Sequence, residues 1–245
     1  MKILSINAGY FLGYRGTHLD YLRNPWKSFL GSPEEESNLG DLIRMIETED
    51  PDHVLVQEVD CGSFRSNFGG QEKYLEDKSP EKFRQRFGRK YRGRIFPKLP
   101  IFRFMGNSVL YSAGEIVNHR LDIGRKNLVQ EIRLGDLSIF SLHLATFSSR
   151  IRRKQLEEIE TLAERREDYV LAGDLNFHKG REEINALERQ LGQRVRSPGK
   201  TFPASKPSEK LDLVTSSKGL KITDIEELGN CFSDHRPIIF NVEKT

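Results

Sequence analysis

The sequence predicts an α+β fold of stacked layers, with part of its sheet structure paired antiparallel. Two observations carry this. Short apolar runs with strand character alternate with longer stretches of helical spacing, which is the pattern of sheets covered by helices. Two of the apolar runs also meet across Gly135-Asp136, a hairpin signal in reversed order. The 245 residues suffice for one large domain, 1–245, with a core that needs no disulfide or structural metal.

The elements follow in order. "MKILSIN" reads as a strand ending at Asn7. "SNLGDLIRMIETED" reads as a helix capped by Ser37 or Asn38, with Leu39, Leu42, Ile43 and Ile46 on one face. "PDHVLVQEVD" is a strand ending near Glu58, and "GNSVLYS" is another. "NLVQEIRLGDLSIFSLHLAT" gives the hairpin. A helix from Ser148 to about Arg166 turns Leu156, Ile159 and Ala163 to one side. Then come a strand, "DYVLAGD", a helix, "REEINALERQL", and three strands, "KLDLVTS", "LKITDIEEL" and "RPIIFNV". Residues 9–36, 60–92 and 192–209 are rich in Gly, Ser, Pro and charge and read as loops inserted between core elements.

Composition narrows the class. Hydrophobic residues make up 36% and charged residues 31% with both signs mixed, which describes a globular chain and not a disordered one. Cys61 and Cys231 stand apart with no metal-type spacing and suggest a reducing compartment. The apolar run after Met1 is too short for a signal peptide, and no stretch is long enough to cross a membrane. A cytoplasmic protein without integral membrane association is expected; protein partners are not legible.

Polar residues recur where strands end. Asn7, Glu58, His143, Asp174 with Asn176, and Asp234 with His235 flank apolar runs, and Asp212 lies inside one. Singly, each has a plain reading as a turn residue, a solvated charge or a core histidine. Together they can converge at one end of a sheet, where layered folds build sites. There is no serine elbow and no glycine-rich nucleotide loop. Carboxylate and amide oxygens suit a hard cation such as Mg2+ or Mn2+, and histidines suit proton transfer or charge stabilisation at a phosphate. This set suits metal-assisted hydrolysis of a phosphate ester.

The ordered series "ILSINAG", "VLVQEVD", "GNSVLYS", "SLHLAT", "LAGDLNF", "KLDLV" and "SDHRPI" resembles the endonuclease/exonuclease/phosphatase superfamily, with the deoxyribonuclease I-like fold. The resemblance implies a four-layer α/β/β/α sandwich of two mostly antiparallel sheets and an Mg2+-dependent phosphoric ester hydrolase, with Mn2+ as a substitute. It implies Glu58 as the main metal ligand, assisted by Asn7, with Asp234 supporting the site through the metal. Asp174 would activate the attacking water and Asn176 would place it or touch the phosphate. His235 would stabilise the phosphate, His143 would face it from the other side, Asp212 would orient a histidine, and Asn107 would lie near the site.

The chain departs from abasic-site enzymes of the exonuclease III type. It has Gly9 where they carry an acid, "QEV" for "QET", and a histidine at position 143. It is nearer the branch of deoxyribonuclease I, sphingomyelinases, inositol polyphosphate phosphatases and deadenylases, whose shared core does not name the substrate. Glu81 to Arg103 holds nine Lys and Arg against one acid, although the whole chain is only +3. Interleaved Phe83, Phe87, Tyr91, Phe96 and Phe102 could stack on bases, so nucleic acid is the expected substrate. The spacing of four in "SPEKFRQRFGRKY" equally fits a helix that turns those rings to the core. Arg150, Arg152 and Arg153 sit at a helix start, against its dipole; a bound phosphate would compensate, or solvent would screen them. The alternative substrates are an inositol phosphate, sphingomyelin or another small phosphoester. No membrane-inserting apolar loop stands out, which counts against a lipid.

Overall fold

A computed structural model describes residues 1–91, 98–229 and 232–245, with the backbone alone at 18 and 19. Phe96 and Cys231 lie outside the described residues, as do Arg92 and Arg94 of the basic stretch. The strands are β1 (Lys2–Asn7), β2 (His53–Asp60), β3 (Arg84–Arg89), β4 (Met105–Tyr111), β5 (Glu115–Arg120), β6 (Leu128–Leu134), β7 (Leu137–His143), β8 (Asp168–Asp174), β9 (Asp212–Ser216), β10 (Leu220–Glu227) and β11 (Ile238–Lys244). The helices are α1 (His18–Arg23), α2 (Lys27–Leu30), α3 (Glu35–Glu49), α4 (Gln71–Lys78), α5 (Ser149–Ala163) and α6 (Arg181–Leu191).

The strands form two mixed sheets. One has six, in the order β10-β11-β1-β2-β4-β3; the other has five, in the order β5-β6-β7-β8-β9. Only β1/β2 and β7/β8 run parallel; the other neighbours are antiparallel. Ile3, Leu55, Val109 and Ile238 of the first sheet meet Ile132, Ile139, Val170 and Val214 of the second in a buried layer. The alternate side chains are buried too. Leu4, Ile6, Val54 and Val56 pack under Leu42 and Ile46 of α3, while Phe140, Leu142 and Leu171 pack under Leu156 and Ile159 of α5. Burial on both faces is why these strands read as continuous apolar runs. The result is an α+β deoxyribonuclease I-like sandwich with helices on its outer faces.

Two expectations change. Helix α3 begins at Glu35, before Ser37 and Asn38, and no side chain caps it; Asn38 instead donates to the Phe11 carbonyl at 2.9 Å. The "FRQRFGR" stretch is an edge strand, not a helix. Arg84, Arg86 and Arg89 face solvent, while Phe83 and Phe87 pack toward the core above α3. Period two wins because β4 offers a pairing partner, and exposed arginines keep the sheet edge from pairing further.

Candidate active site

The parallel pairings set the geometry. Because β1 runs beside β2 and β7 beside β8, the C-terminal ends of these strands lie at one end of the sandwich. The register places His143 beside Asp174, and Asp174 opposite Asp212. From the other sheet, Asn7 Nδ2 donates to Asp174 Oδ2 at 2.9 Å and so ties the two sheets together. Within its own sheet, Gly173 lets β8 lie close against β7 beside Asp174. Its φ is +138°, and a Cβ there would lie 2.1 Å from the Leu142 carbonyl oxygen.

Glu58 sits in a bulge of the β2/β4 ladder between Val56 and Val59, with φ +60°. The bulge re-aims its carboxylate out of the strand's alternation. Its backbone N–H donates to Asn107 Oδ1 at 3.3 Å. Its Oε1 accepts from Lys90 Nζ at 2.8 Å and lies 3.9 Å from Lys126 Nζ and 3.7 Å from His143 Nε2. Burial works to raise the pKa of Glu58, but Lys90 and Lys126 hold it down to about 2.

The histidines are set apart by their neighbours. His235 Nδ1 meets Asp212 Oδ2 at 2.9 Å, and Asp212 with Asp174 pushes the His235 pKa up to about 10 against the pull of burial, so it is a cation at neutral pH. His143 is driven the other way, by burial and then by Lys126, and is neutral. Its Nε2 lies 2.6 Å from Lys126 Nζ, which also donates to Thr146 Oγ1 at 2.7 Å. Burial and the nearby Lys90 bring Lys126 down to about 8. Asp174 is raised, by burial first and by Asp212 as well. The Asn176 N–H donates to Asp174 Oδ1 at 2.9 Å, and its side-chain amide donates to the Leu144 carbonyl at 3.1 Å.

Asp234 is raised by burial and by Glu58, and it accepts from the Tyr21 hydroxyl. Glu58 and Asp234 both open into a cavity of about 360 Å3 that is walled by Tyr10, Tyr14, Tyr21, Phe29, Phe102 and Met105. The donor chemistry of Glu58, Asn7 and Asp234 fits a hard divalent cation: oxygen atoms beside a cleft, with two like charges that a cation would relieve. Asp174, Asp212 and His235 also offer ligand atoms within 4.8 Å of one another. There, however, His235 has already committed Nδ1 to Asp212, so that trio reads as a proton-handling relay. Buried Asp212 Oδ1, His143 Nδ1 and Asn107 Nδ2 have no hydrogen-bond partner.

The structure thus brings together Asn7, Glu58, Asn107, His143, Asp174, Asn176, Asp212, Asp234 and His235. It does not bring the arginines. Arg152 is buried in a bidentate pair with Glu183 and donates to the Ala145 and Thr146 carbonyls at 2.9 and 2.8 Å. It braces the loop after His143, and a fully paired guanidinium has no donor left for a phosphate. Arg150 and Arg153 line a groove between α5 and α6 on the outer layer. Lys90, Lys126, Tyr10 and Tyr21 escaped sequence reasoning. Nothing local marks them; Lys90 is one of nine cations in its stretch and the one that is buried against Glu58.

The family described as the Endonuclease/Exonuclease/phosphatase family has a model that matches residues 7–235. No curated protein matches the chain. Among solved structures, an endonuclease/exonuclease/phosphatase from Beutenbergia cavernae is 18% identical, with TM-score 0.71 over 100% of this chain and 71% of that one. The human Nocturnin catalytic domain with bound sulfate is 16% identical, with TM-score 0.66 over 100% and 94%. A mannosyl-6-phosphatase from Bacteroides thetaiotaomicron is 14% identical, with TM-score 0.65 over 99% of each. At these identities the likeness is one of fold.

Proposed function

The chain belongs to the endonuclease/exonuclease/phosphatase family, and on that premise we propose that it hydrolyses a phosphodiester by in-line attack of water activated at Asp174. Glu58, Asn7 and Asp234 would hold the divalent cation, Mg2+ or Mn2+. When bound, that cation supplies Lewis-acid polarisation and charge neutralisation at the phosphate. Asp174, raised by burial, is suited to take the proton from water; Asn176 fixes its carboxylate through the 2.9 Å backbone bond. Charged His235 stands 4.0 Å from Asp174 and offers Nε2 to the negative phosphate oxygens, while Asp212 fixes its ring. From the other flank, Lys126, held by neutral His143 through its accepting Nε2, and the unfilled amide of Asn107 offer donors that need no reorganisation.

The observation that carries this reading is the Asn7–Asp174 bond, which brings the Glu58 sheet and the His143 sheet into one site. The test is turnover with Mg2+ or Mn2+ on purified Asp174→Asn and His235→Ala. Retained metal-dependent activity in both would sink the assignment.

For the substrate, nucleic acid is supported by the cations of the 81–103 stretch. The aromatic half of that argument is weaker, because Phe83 and Phe87 pack inward and Tyr91 packs edge-on against Phe102. A second reading, a small or lipid phosphoester, is favoured by the apolar cavity beside Glu58, whose size suits one compact group and not a polymer. A screen across single- and double-stranded DNA, RNA, inositol phosphates and sphingomyelin separates the two.

A further inference from the structure

Eight large apolar side chains are exposed among the described residues. All eight lie on the four loops that leave the site end of the sandwich. Leu30 is on the loop after β1, Phe68 on the loop after β2, Leu99 on the connection from β3 to β4, and Phe147 on the loop after β7. The start of β4 belongs to this end because Met105 pairs with Asp60 at the end of β2. The turns at the opposite end, 50–52, 112–114, 135–136 and 217–219, expose none. Scattered exposed apolar residues need no explanation, but a one-sided crown of them does.

The crown is mixed with cations. Exposed Lys98 and Arg103 flank Leu99, exposed Arg23 precedes Trp26, and exposed Arg150 follows Phe147. It is also continuous with the site: Phe29 is exposed at the rim and walls the cavity that holds Glu58 and Asp234. A protein bound over four loop tips would close that cleft, whereas a lipid surface would present substrate to it.

We propose that this crown docks the protein on an anionic phospholipid bilayer, with the apolar tips in the headgroup boundary and the cations on lipid phosphates. The sequence hid this because no single loop is apolar enough to insert; the tips converge only in the fold. The one-sided crown and its cations stand on the surface alone; the choice of a bilayer over a protein to cover them rests on the hydrolase reading. The consequence that the phosphoester is a lipid headgroup rests on that reading too.

The test is flotation of the full chain with vesicles of phosphatidylcholine, with and without phosphatidylserine. Turnover of the soluble diester bis(p-nitrophenyl) phosphate is measured in parallel. The wild type should float with vesicles, more strongly with phosphatidylserine. A Leu30→Ser/Phe68→Ser/Phe147→Ser variant, changed only at exposed tips, should bind more than about tenfold more weakly and keep its soluble turnover. Flotation without turnover in either protein would retain docking and remove the hydrolase reading. Docking is overturned if the wild type floats with neither vesicle or if the variant floats as well. It is also overturned if the wild type is a dimer in light scattering that the variant breaks, which would make the crown a contact between copies.

Discussion

Two buried charge clusters in this molecule use the same side-chain chemistry and end in opposite states. Glu131, on β6, is fully buried and saturated. One oxygen accepts from Ser138 at 2.7 Å and Arg166 at 2.6 Å; the other faces His119 at 2.6 Å and accepts from Arg133 at 3.0 Å. Despite burial, these partners hold it down to about 2. At the strand ends, by contrast, Asp174 and Asp234 are pushed up, and Asp212 Oδ1, His143 Nδ1 and Asn107 Nδ2 go without partners. A cluster built for stability completes its own valences, and a cluster built for chemistry leaves some for a ligand.

The largest test of this contrast is Asp174→Asn. Metal-dependent kcat should fall by about a thousandfold or more, with no loss of thermal midpoint, because a raised, buried acid is removed. Glu131→Gln should do the reverse. It should cost about 2 kcal/mol in a urea titration by weakening the charge-assisted bonds to the half-buried Arg133 and Arg166, with kcat unchanged. The pH sign agrees: the contribution of Glu131 is complete above the ordinary carboxylate range and fades as pH falls toward about 2.

Asp212→Asn tests the relay. It should lower kcat by about a hundredfold and move the His235 limb of the pH profile, which lies above that of Lys126 near 8, from near 10 toward neutral, since Asp212 with Asp174 raises His235. A flat shift in kcat with an unmoved limb would reduce Asp212 to packing. His53 gives a smaller control outside both clusters. Burial lowers it to about 4, so between pH 6.5 and 4 the unfolded chain takes the proton first and stability falls as pH falls. The unfolding free energy from urea titrations should drop by about 2 kcal/mol across that window, and His53→Leu should flatten the slope.

Which residues converge at the site was legible because strand ends are local events. An apolar run that stops at "GDLN" or "SDH" shows where a strand hands a side chain to the cleft. What stayed hidden depends on distant partners. "FRQRFGR" carries a ring spacing that fits a helix, and only β4 decides for a strand. Lys90 and Lys126 look like any surface lysine until two sheets close over them. Arg152 looked like a phosphate contact because Glu183, 31 positions away, is invisible to a local reading. The apolar crown is the clearest case, since its eight members are spread over four loops that are far apart in the chain.

The bulge at Glu58 has a further consequence. A left-handed backbone at a non-glycine residue is strained by roughly 1 kcal/mol relative to glycine. Glu58→Gly would relieve that strain but leave the buried Lys90 ammonium without its partner, so the unfolding midpoint should fall while metal-dependent turnover is lost. Asn176, with φ +55°, occupies similar ground. At both positions the strained backbone is held by what the side chain grips, Lys90 at Glu58 and the Leu144 carbonyl at Asn176, so glycine would relax the chain locally and unfasten it at the residues it can least spare.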